Sequence, residues 1–176
     1  MRNQPQRVPR TPTKLEYIPS GRAGMRATLR KMAQYVRDFR ADYRIREKAL
    51  ELVRYLPEKN WIAEAEAIHR YVRDRIRYVK DPVDLETIAE PWKTIEIGQG
   101  DCDDKVVLAA ALLHAIGHPA RFLAVTFDDG QAHVLVETLI GSEWYPMELT
   151  ERGMCLGEYP IPERIVDYMI EHISLR

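Results

Sequence analysis

Eight consecutive apolar residues, 106–113, constrain the fold more than any other stretch of this sequence. Most of them are Ala and Leu, which are strong helix formers, and a helix that is apolar all round must be buried on all sides. Gly117 and Pro119 then end the helix. The chain has 176 residues, of which 45% are hydrophobic, and this suits one domain with a substantial core. We therefore predict a central helix enclosed by further layers of structure.

Amphipathic helices precede this central helix, and strands follow it. Apolar residues recur at helical spacing in three segments, at residues 29–39, 45–56 and 61–76. Strands separated by turn residues are predicted at 121–127, 133–139 and 144–149. This order of elements indicates an α+β fold, in which helices and a buried central helix pack on a small antiparallel sheet.

Two further segments have weaker patterns. Residues 81–101 contain Asp81-Pro82 and Pro91, and we predict a long loop there, which inside a compact domain is usually functional. The chain after Thr150 is expected to be irregular, with a short final helix around residues 165–173.

Residues 1–24 are rich in proline and arginine and form a predicted N-terminal arm, while residues 25–176 form a single domain. We interpret the arm as solvated; docking to a virion, to another protein partner or to nucleic acid is the alternative. The formal net charge of −1 gives no general attraction to nucleic acid or to a membrane. The sequence has neither an apolar span nor a secretory signal, so we expect a cytoplasmic protein.

Cys102 is the candidate nucleophile. It follows a glycine-containing loop and a predicted N-cap, Asp101, and it starts the central helix. Partial positive charge and unpaired N–H groups at a helix N-terminus lower a thiol's pKa, although Asp103 and Asp104 oppose this effect. Inert cysteines usually lie within apolar runs, and this one does not. Cys155, in a predicted loop, is interpreted as structural or incidental.

His133 is the candidate base, because a cysteine nucleophile needs an imidazole within reach. Of the five histidines, it alone begins a predicted strand after a turn. His69 is expected to be a structural histidine of the third helix. His114 lies about three helical turns from Cys102, too far along the axis to act as its base.

A third group must hold that imidazole, and strand parity indicates Glu148. If the loop between the last two predicted strands has an even number of residues, Glu148 shares a face with His133. With a two-residue loop, His133 and Glu148 are diagonal neighbours, and with a four-residue loop they are directly opposite each other. With a three-residue loop, their side chains lie on different faces of the sheet. Glu137 shares the face of His133 but lies roughly 13 Å away along the strand.

These motifs, in this order, resemble the transglutaminase-like superfamily. The matching segments are Gly100-Asp101-Cys102, Leu112-Leu113, Gly117-His118-Pro119-Ala120-Arg121, His133-Val134-Leu135-Val136-Glu137 and Trp144-Tyr145-Pro146-Met147-Glu148-Leu149-Thr150. The resemblance implies a papain-like fold, a catalytic Cys102, His133 and Glu148, and chemistry at amide bonds through a thioester, without a cofactor. The family usually has Asp where this chain has Glu148. It includes peptidases, deamidases, transglutaminases and inactive members, so water and an amine both remain open as the acceptor.

A longer pattern is similar to small bacteriophage- and prophage-encoded members, and it includes Asp81-Pro82, Glu86, Pro91 and Thr94. That similarity implies a location in the host cytoplasm or on the virion, and a protein or peptide substrate.

The oxyanion of such a reaction needs hydrogen-bond donors. The Cys102 N–H is the first candidate, and the side chains of Gln99 and Trp92 are possible helpers. A core position for Trp92 is the alternative, since tryptophans mostly pack.

Two other interpretations stay open. Cys102, His133 and an aspartate could bind zinc, although neither Cys102 nor His133 belongs to a paired-ligand spacing such as C-x-x-C or H-x-x-x-H. The chain could also be a non-catalytic binding or virion-associated module that retains the fold.

Overall fold

The computed structural model describes residues 21–80 and 87–174. Most of the predicted N-terminal arm, and Asp81, Pro82 and Glu86, therefore lie outside the described residues. The helices are α1 (Gly21–Phe39), α2 (Tyr43–Val53), α3 (Trp61–Arg75), α4 (Pro91–Ile97) and α5 (Cys102–Ala115). The strands are β1 (Arg77–Tyr78), β2 (Gln99–Gly100), β3 (Ala120–Phe127), β4 (Ala132–Ile140), β5 (Glu143–Met147) and β6 (Ile165–His172), and a 3₁₀ turn spans Pro162–Arg164.

Helix α5 is the centre of the molecule, as the apolar run predicts. Every residue from Asp103 to His114 is buried. Helices α1 to α4 pack on one part of its surface, and strands β3 and β4 pack on another. The Asp101 side chain caps the helix by accepting a hydrogen bond from the Asp104 N–H at 3.0 Å. The architecture is the predicted α+β one, with helices and a central buried helix on an antiparallel sheet.

Helix α1 begins earlier than the sequence pattern indicates. It starts at Gly21, so residues 21–24, which the sequence analysis assigns to the arm, belong to the first helix. Arg22 in this first turn forms an ion pair with Asp167 of β6. The apolar stripe of α1, from Leu29 to Val36, is buried in the core. Among the described residues, no helix has both the length and the apolar content to cross a membrane.

The main sheet has four antiparallel strands in the order β5-β4-β3-β6. The predicted helix around residues 165–173 is wrong, because this segment is β6 and pairs with β3 along its length. Its β-branched and aromatic residues suit a strand, and exposed Val166 and Tyr168 alternate with less exposed neighbours. The outer edge of β3 supplies its backbone partners, a long-range contact that local spacing does not reveal.

The predicted loop at residues 81–101 is also wrong in part, because it contains α4 and β2. Pro91 suits the first turn of α4, since its fixed φ is already helical, and Gly98 at φ 70° ends the helix in the left-handed region. The next two residues form β2, which pairs in parallel with β1. The start of α5 is therefore fixed by a helix and a two-strand ladder.

Gly100 makes a close approach possible at this point. A Cβ atom there would lie 2.6 Å from the Asp104 Cβ, well inside van der Waals contact. The Asp104 carboxylate in turn accepts a hydrogen bond from the Ala89 N–H at 2.7 Å. The segment before α4 is thereby fastened to the first turn of α5.

Candidate active site

Cys102 is the first residue of α5, at the helix N-terminus. Its half-buried thiol donates a hydrogen bond to the Asp103 carboxylate, with Sγ 3.6 Å from Oδ1. Burial, the charges of Asp103 and Asp101, and this hydrogen bond raise the pKa of the Cys102 thiol far above its usual range. The expectation that the helix N-terminus would lower this pKa is wrong, since desolvation and two carboxylates outweigh the helix dipole. The resting thiol is protonated.

His133 and Glu148 are in contact. The His133 Nε2 lies 2.7 Å from the Glu148 Oε2, and the Glu148 side chain is fully buried. The two-residue turn Gly141-Ser142 connects β4 to β5 and places Ile140 opposite Glu143. Counting back along this register makes His133 and Glu148 a diagonal pair, which is the even-loop arrangement that strand parity allows.

The second carboxylate oxygen of Glu148 is hydrogen-bonded to residues that closely follow it in the sequence. Oε1 accepts hydrogen bonds from the Thr150 N–H and the Thr150 hydroxyl, each at 2.6 Å, and from the Glu151 N–H at 3.3 Å. Burial favours the neutral acid, but the hydrogen bond and charge of His133, with the Thr150 donors, prevail and lower the pKa of Glu148 to about 2. An ionised carboxylate therefore holds the Nε2 side of the imidazole and leaves Nδ1 as the nitrogen that could take a proton.

The structure does not join all three predicted site residues. Within residues 21–80 and 87–174, the thiol of Cys102 is hydrogen-bonded to Asp103 and not to His133. Helix α5 packs on β4, so the elements that carry the two residues are neighbours. The alternative carboxylate, Glu137, is buried and bonded to Arg121 and Tyr159, each at 2.6 Å. Glu148 is thus the carboxylate that contacts His133.

The two candidate oxyanion donors lie in different settings. Gln99, in β2, accepts a hydrogen bond from the Arg77 guanidinium through Oε1 at 2.6 Å. Trp92, in α4, packs against the core, with the Arg44 guanidinium 3.8 Å from the centroid of its ring. The environment of Trp92 fits a packing residue, the alternative given above.

The other histidines have distinct environments. His114 is buried on α5, and burial together with the Arg40 charge lowers its pKa to about 4. His118 is bonded to Glu64 at 2.6 Å and lies against the Trp61 ring in a tilted arrangement. His69 is buried and bonded to the backbone of Glu148 at 2.7 Å. Of these three, within the described part of the chain, His69 alone contacts a predicted site residue, through the Glu148 carbonyl oxygen.

Lys105 is a site neighbour that sequence reasoning missed. Its fully buried ammonium donates hydrogen bonds to the carbonyls of Ile76, at 2.8 Å, and Arg73, at 3.3 Å. These carbonyls lie at the C-terminal end of α3, so the lysine caps that helix. Burial lowers its pKa to about 8, against the opposing charges of Glu148 and Asp74. A lysine directly before an apolar run is the only sequence signal of this role.

The described part of the chain offers no group of three or more His, Cys, Asp or Glu side chains that could hold a metal ion. The zinc interpretation of Cys102 and His133 therefore has no structural support in these residues, since a zinc site needs three or four such ligands.

A cysteine at the start of a buried helix, packed on an antiparallel sheet that carries a histidine–carboxylate pair, is the arrangement of the papain-like class of proteins. The sequence model of the Transglutaminase-like superfamily matches residues 46–149, more than half of the chain. The chain belongs to this superfamily. A comparison with curated proteins found no match.

Solved structures share the fold at low sequence identity. A candidate cysteine protease from Cytophaga hutchinsonii has a TM-score of 0.53 at 15% identity, over 81% of this chain and 51% of that one. Calcium-bound LapG from Legionella pneumophila has a TM-score of 0.55 at 22% identity, over 80% of this chain and 83% of that one. A candidate protease from Parabacteroides distasonis has a TM-score of 0.58 at 14% identity, over 81% of this chain and 32% of that one. The chain thus spans about half of the Cytophaga protein and about a third of the Parabacteroides protein, and these likenesses concern the fold alone.

Proposed function

We propose that this protein acts on amide bonds of a protein or peptide substrate through a thioester at Cys102. The observation that carries the proposal is the contact between His133 and the buried, ionised Glu148, 2.7 Å apart. A carboxylate that holds one nitrogen of an imidazole leaves the other nitrogen to act as a general base for a thiol. Membership of the superfamily supports the same chemistry.

Acylation would proceed in two proton-balanced steps. The thiol proton of Cys102 passes to the Nδ1 of His133 as sulfur attacks the carbonyl carbon of the substrate. The oxyanion that forms accepts a hydrogen bond from the Cys102 N–H, and we assign the Gln99 amide as a second donor. When the intermediate collapses, the C–N bond breaks and the leaving amine takes the proton from His133. A thioester remains on Cys102.

Deacylation repeats these steps with a different nucleophile. Water or a second amine attacks the thioester carbon and gives up a proton to His133, which then returns it to the departing thiolate of Cys102. Water yields a carboxylic acid, which makes the enzyme a peptidase or a deamidase. An amine acceptor yields a new amide, which makes it a transglutaminase.

The resting thiol adds one step before attack. Because the Cys102 thiol is hydrogen-bonded to Asp103, the sulfur must leave this carboxylate and become hydrogen-bonded to His133 before it can react. A rotation about the Cα–Cβ bond of Cys102 swings the sulfur without moving α5. We propose that substrate binding drives this rotation, since the substrate desolvates the site and displaces the Asp103 contact.

The same contact favours a second candidate function. A thiol that is protonated and turned toward Asp103 also fits a non-catalytic binding module that has kept the fold. In that case the His133–Glu148 pair would only stabilise the sheet.

Mass spectrometry of trapped acyl adducts tests the proposal and distinguishes its forms. The full chain is incubated with a cysteine-directed peptidyl probe and with cell-derived peptides, and the adducts are mapped on Cys102 and Cys155. A peptide acyl group on Cys102 supports a peptidase, and a glutamine-derived acyl group supports a transglutaminase or deamidase. Acyl adducts confined to Cys155, in wild type as in Cys102→Ala, would refute the enzymatic proposal and favour the binding module.

A further inference from the structure

Glu148 lies just beyond the last paired residue of its strand. The pairing of β5 with β4 ends at Met147, so the Glu148 backbone is held by contacts outside the sheet. Its side chain nevertheless has to meet His133 at 2.7 Å. The position of the Glu148 backbone therefore decides whether this contact forms.

His69 supplies the missing backbone contact. It lies on α3 and is buried, and its Nε2 is 2.7 Å from the Glu148 carbonyl oxygen. A carbonyl only accepts hydrogen bonds, so Nε2 carries the proton and donates it. Burial lowers the pKa of His69, which keeps the ring neutral near pH 7. The contact is thus a neutral donor on a rigid helix, directed at the backbone of the acidic residue.

Other contacts of α3 connect the two parts of the site, the segment that carries Glu148 and the helix that begins with Cys102. Arg73, one helical turn after His69, donates a hydrogen bond to the carbonyl of Met154. On the opposite side, Lys105 of α5 donates to the carbonyls of Arg73 and Ile76. Lys105 is one turn along the helix that begins with Cys102. Helix α3 is therefore fastened both to the segment that carries the acid and to the helix that carries the thiol.

We propose that His69 is a positioning residue, which sets the Glu148 carboxylate against His133 by holding the Glu148 backbone to α3. This role rests on the proposed function, because it concerns the same base and the same acid. Loss of the donor frees the Glu148 carbonyl and lets the carboxylate move away from the imidazole. His133 then loses its orientation and its anionic neighbour, and becomes a poorer base.

Few charged groups surround the contact between His69 and Glu148, and they do not change in the variants that test it. His69 is influenced by Arg73 and Asp74 on its own helix and by Glu148 across the contact. Lys105 on α5 and His133 on β4 interact with the Glu148 carboxylate. The variants below leave these charges unchanged, so an altered pH profile would report the geometry of Glu148.

The test compares variants of His69 by the rate at which a peptidyl probe labels Cys102 between pH 5 and 9. His69→Leu fills the space without a donor, while His69→Gln offers an amide N–H to the same carbonyl. His118→Leu is the matched control, because it removes a buried histidine that bonds to Glu64 and contacts the Trp61 ring. The free energy of unfolding is measured for each variant in urea.

We expect His69→Leu to label about tenfold more slowly at the plateau and to reach half of its plateau rate roughly one pH unit lower. His69→Gln should recover most of the rate, and His118→Leu should lose stability with an unchanged profile. A His69→Leu protein that is less stable but has the wild-type profile would overturn the inference. If His69→Leu does not fold, His69→Met takes its place with the same expected results.

Failure of the inference and failure of the proposed function give different results. If His133→Ala labels Cys102 as fast as wild type does, the proposed base is wrong. If His133→Ala is slow while His69→Leu labels normally, the base stands and the positioning role is wrong.

Discussion

Replacing Glu148 with glutamine should remove a contribution to stability that depends on pH. The pKa of Glu148 falls from 4.5 to about 2 in the folded protein, against the effect of burial, through the hydrogen bond and charge of His133 and the Thr150 donors. A difference of about 2.5 units at 1.36 kcal/mol per unit corresponds to about 3 kcal/mol of stabilisation. Since the folded-state pKa is the lower one, this stabilisation is complete above pH 4.5 and is lost as the pH falls toward 2. By pH 3, about 2 kcal/mol of it should be gone.

Urea unfolding followed by circular dichroism would measure this effect at several values between pH 7 and pH 3. From pH 7 to pH 3, the free energy of unfolding of wild type should fall by about 2 kcal/mol more than that of Glu148→Gln, because a glutamate at position 148 titrates and a glutamine does not. In a His133→Ala background the difference between the two proteins should shrink, since the main lowering influence is gone. Parallel curves for wild type and Glu148→Gln would refute the assignment of an ionised, imidazole-bound Glu148.

Three further predictions concern residues next to the site. Asp103→Asn removes a carboxylate that raises the pKa of Cys102, so alkylation of that thiol by iodoacetamide at pH 8 should be about tenfold faster, and an unchanged rate would contradict this. The pKa of Lys105 is about 8 in the folded protein, against 10.5 for a free lysine, so the folded state releases this proton more readily than the unfolded state. The free energy of unfolding should therefore rise by up to about 3 kcal/mol between pH 8 and 10.5. Lys105→Met should lack this rise. Gly100→Ala places a Cβ 2.6 Å from that of Asp104 and should cost about 1–3 kcal/mol in urea unfolding, so a variant as stable as wild type would disprove the close contact.

The central features of the fold follow from local sequence patterns. The run at residues 106–113 is apolar on every helical face, and one buried helix is the arrangement that satisfies it. The pair His133 and Glu148 follows from the period of two in strands once the turn Gly141-Ser142 has two residues. In these cases, short-range geometry indicates which side chains share a face or a core.

Other features depend on contacts between distant segments. Residues 165–172 form a strand because the edge of β3 accepts them, a partner about forty residues earlier in the chain. The pKa of Cys102 depends on burial and on where the Asp103 carboxylate lies, which the helix position alone does not determine. The contacts of His69 and Lys105 with carbonyl groups arise from the packing of α3, and neither residue belongs to a recognisable motif.

The rate at which a peptidyl electrophile labels Cys102 at pH 7, in wild type and in His133→Ala, tests the central claim most directly. Cys155 is exposed and serves as an internal reference in the same spectra. A positioned general base is worth at least about 100-fold, so His133→Ala should label Cys102 at least that much more slowly while Cys155 reacts as before. Equal labelling of Cys102 in the two proteins would contradict the assignment of His133 as its base.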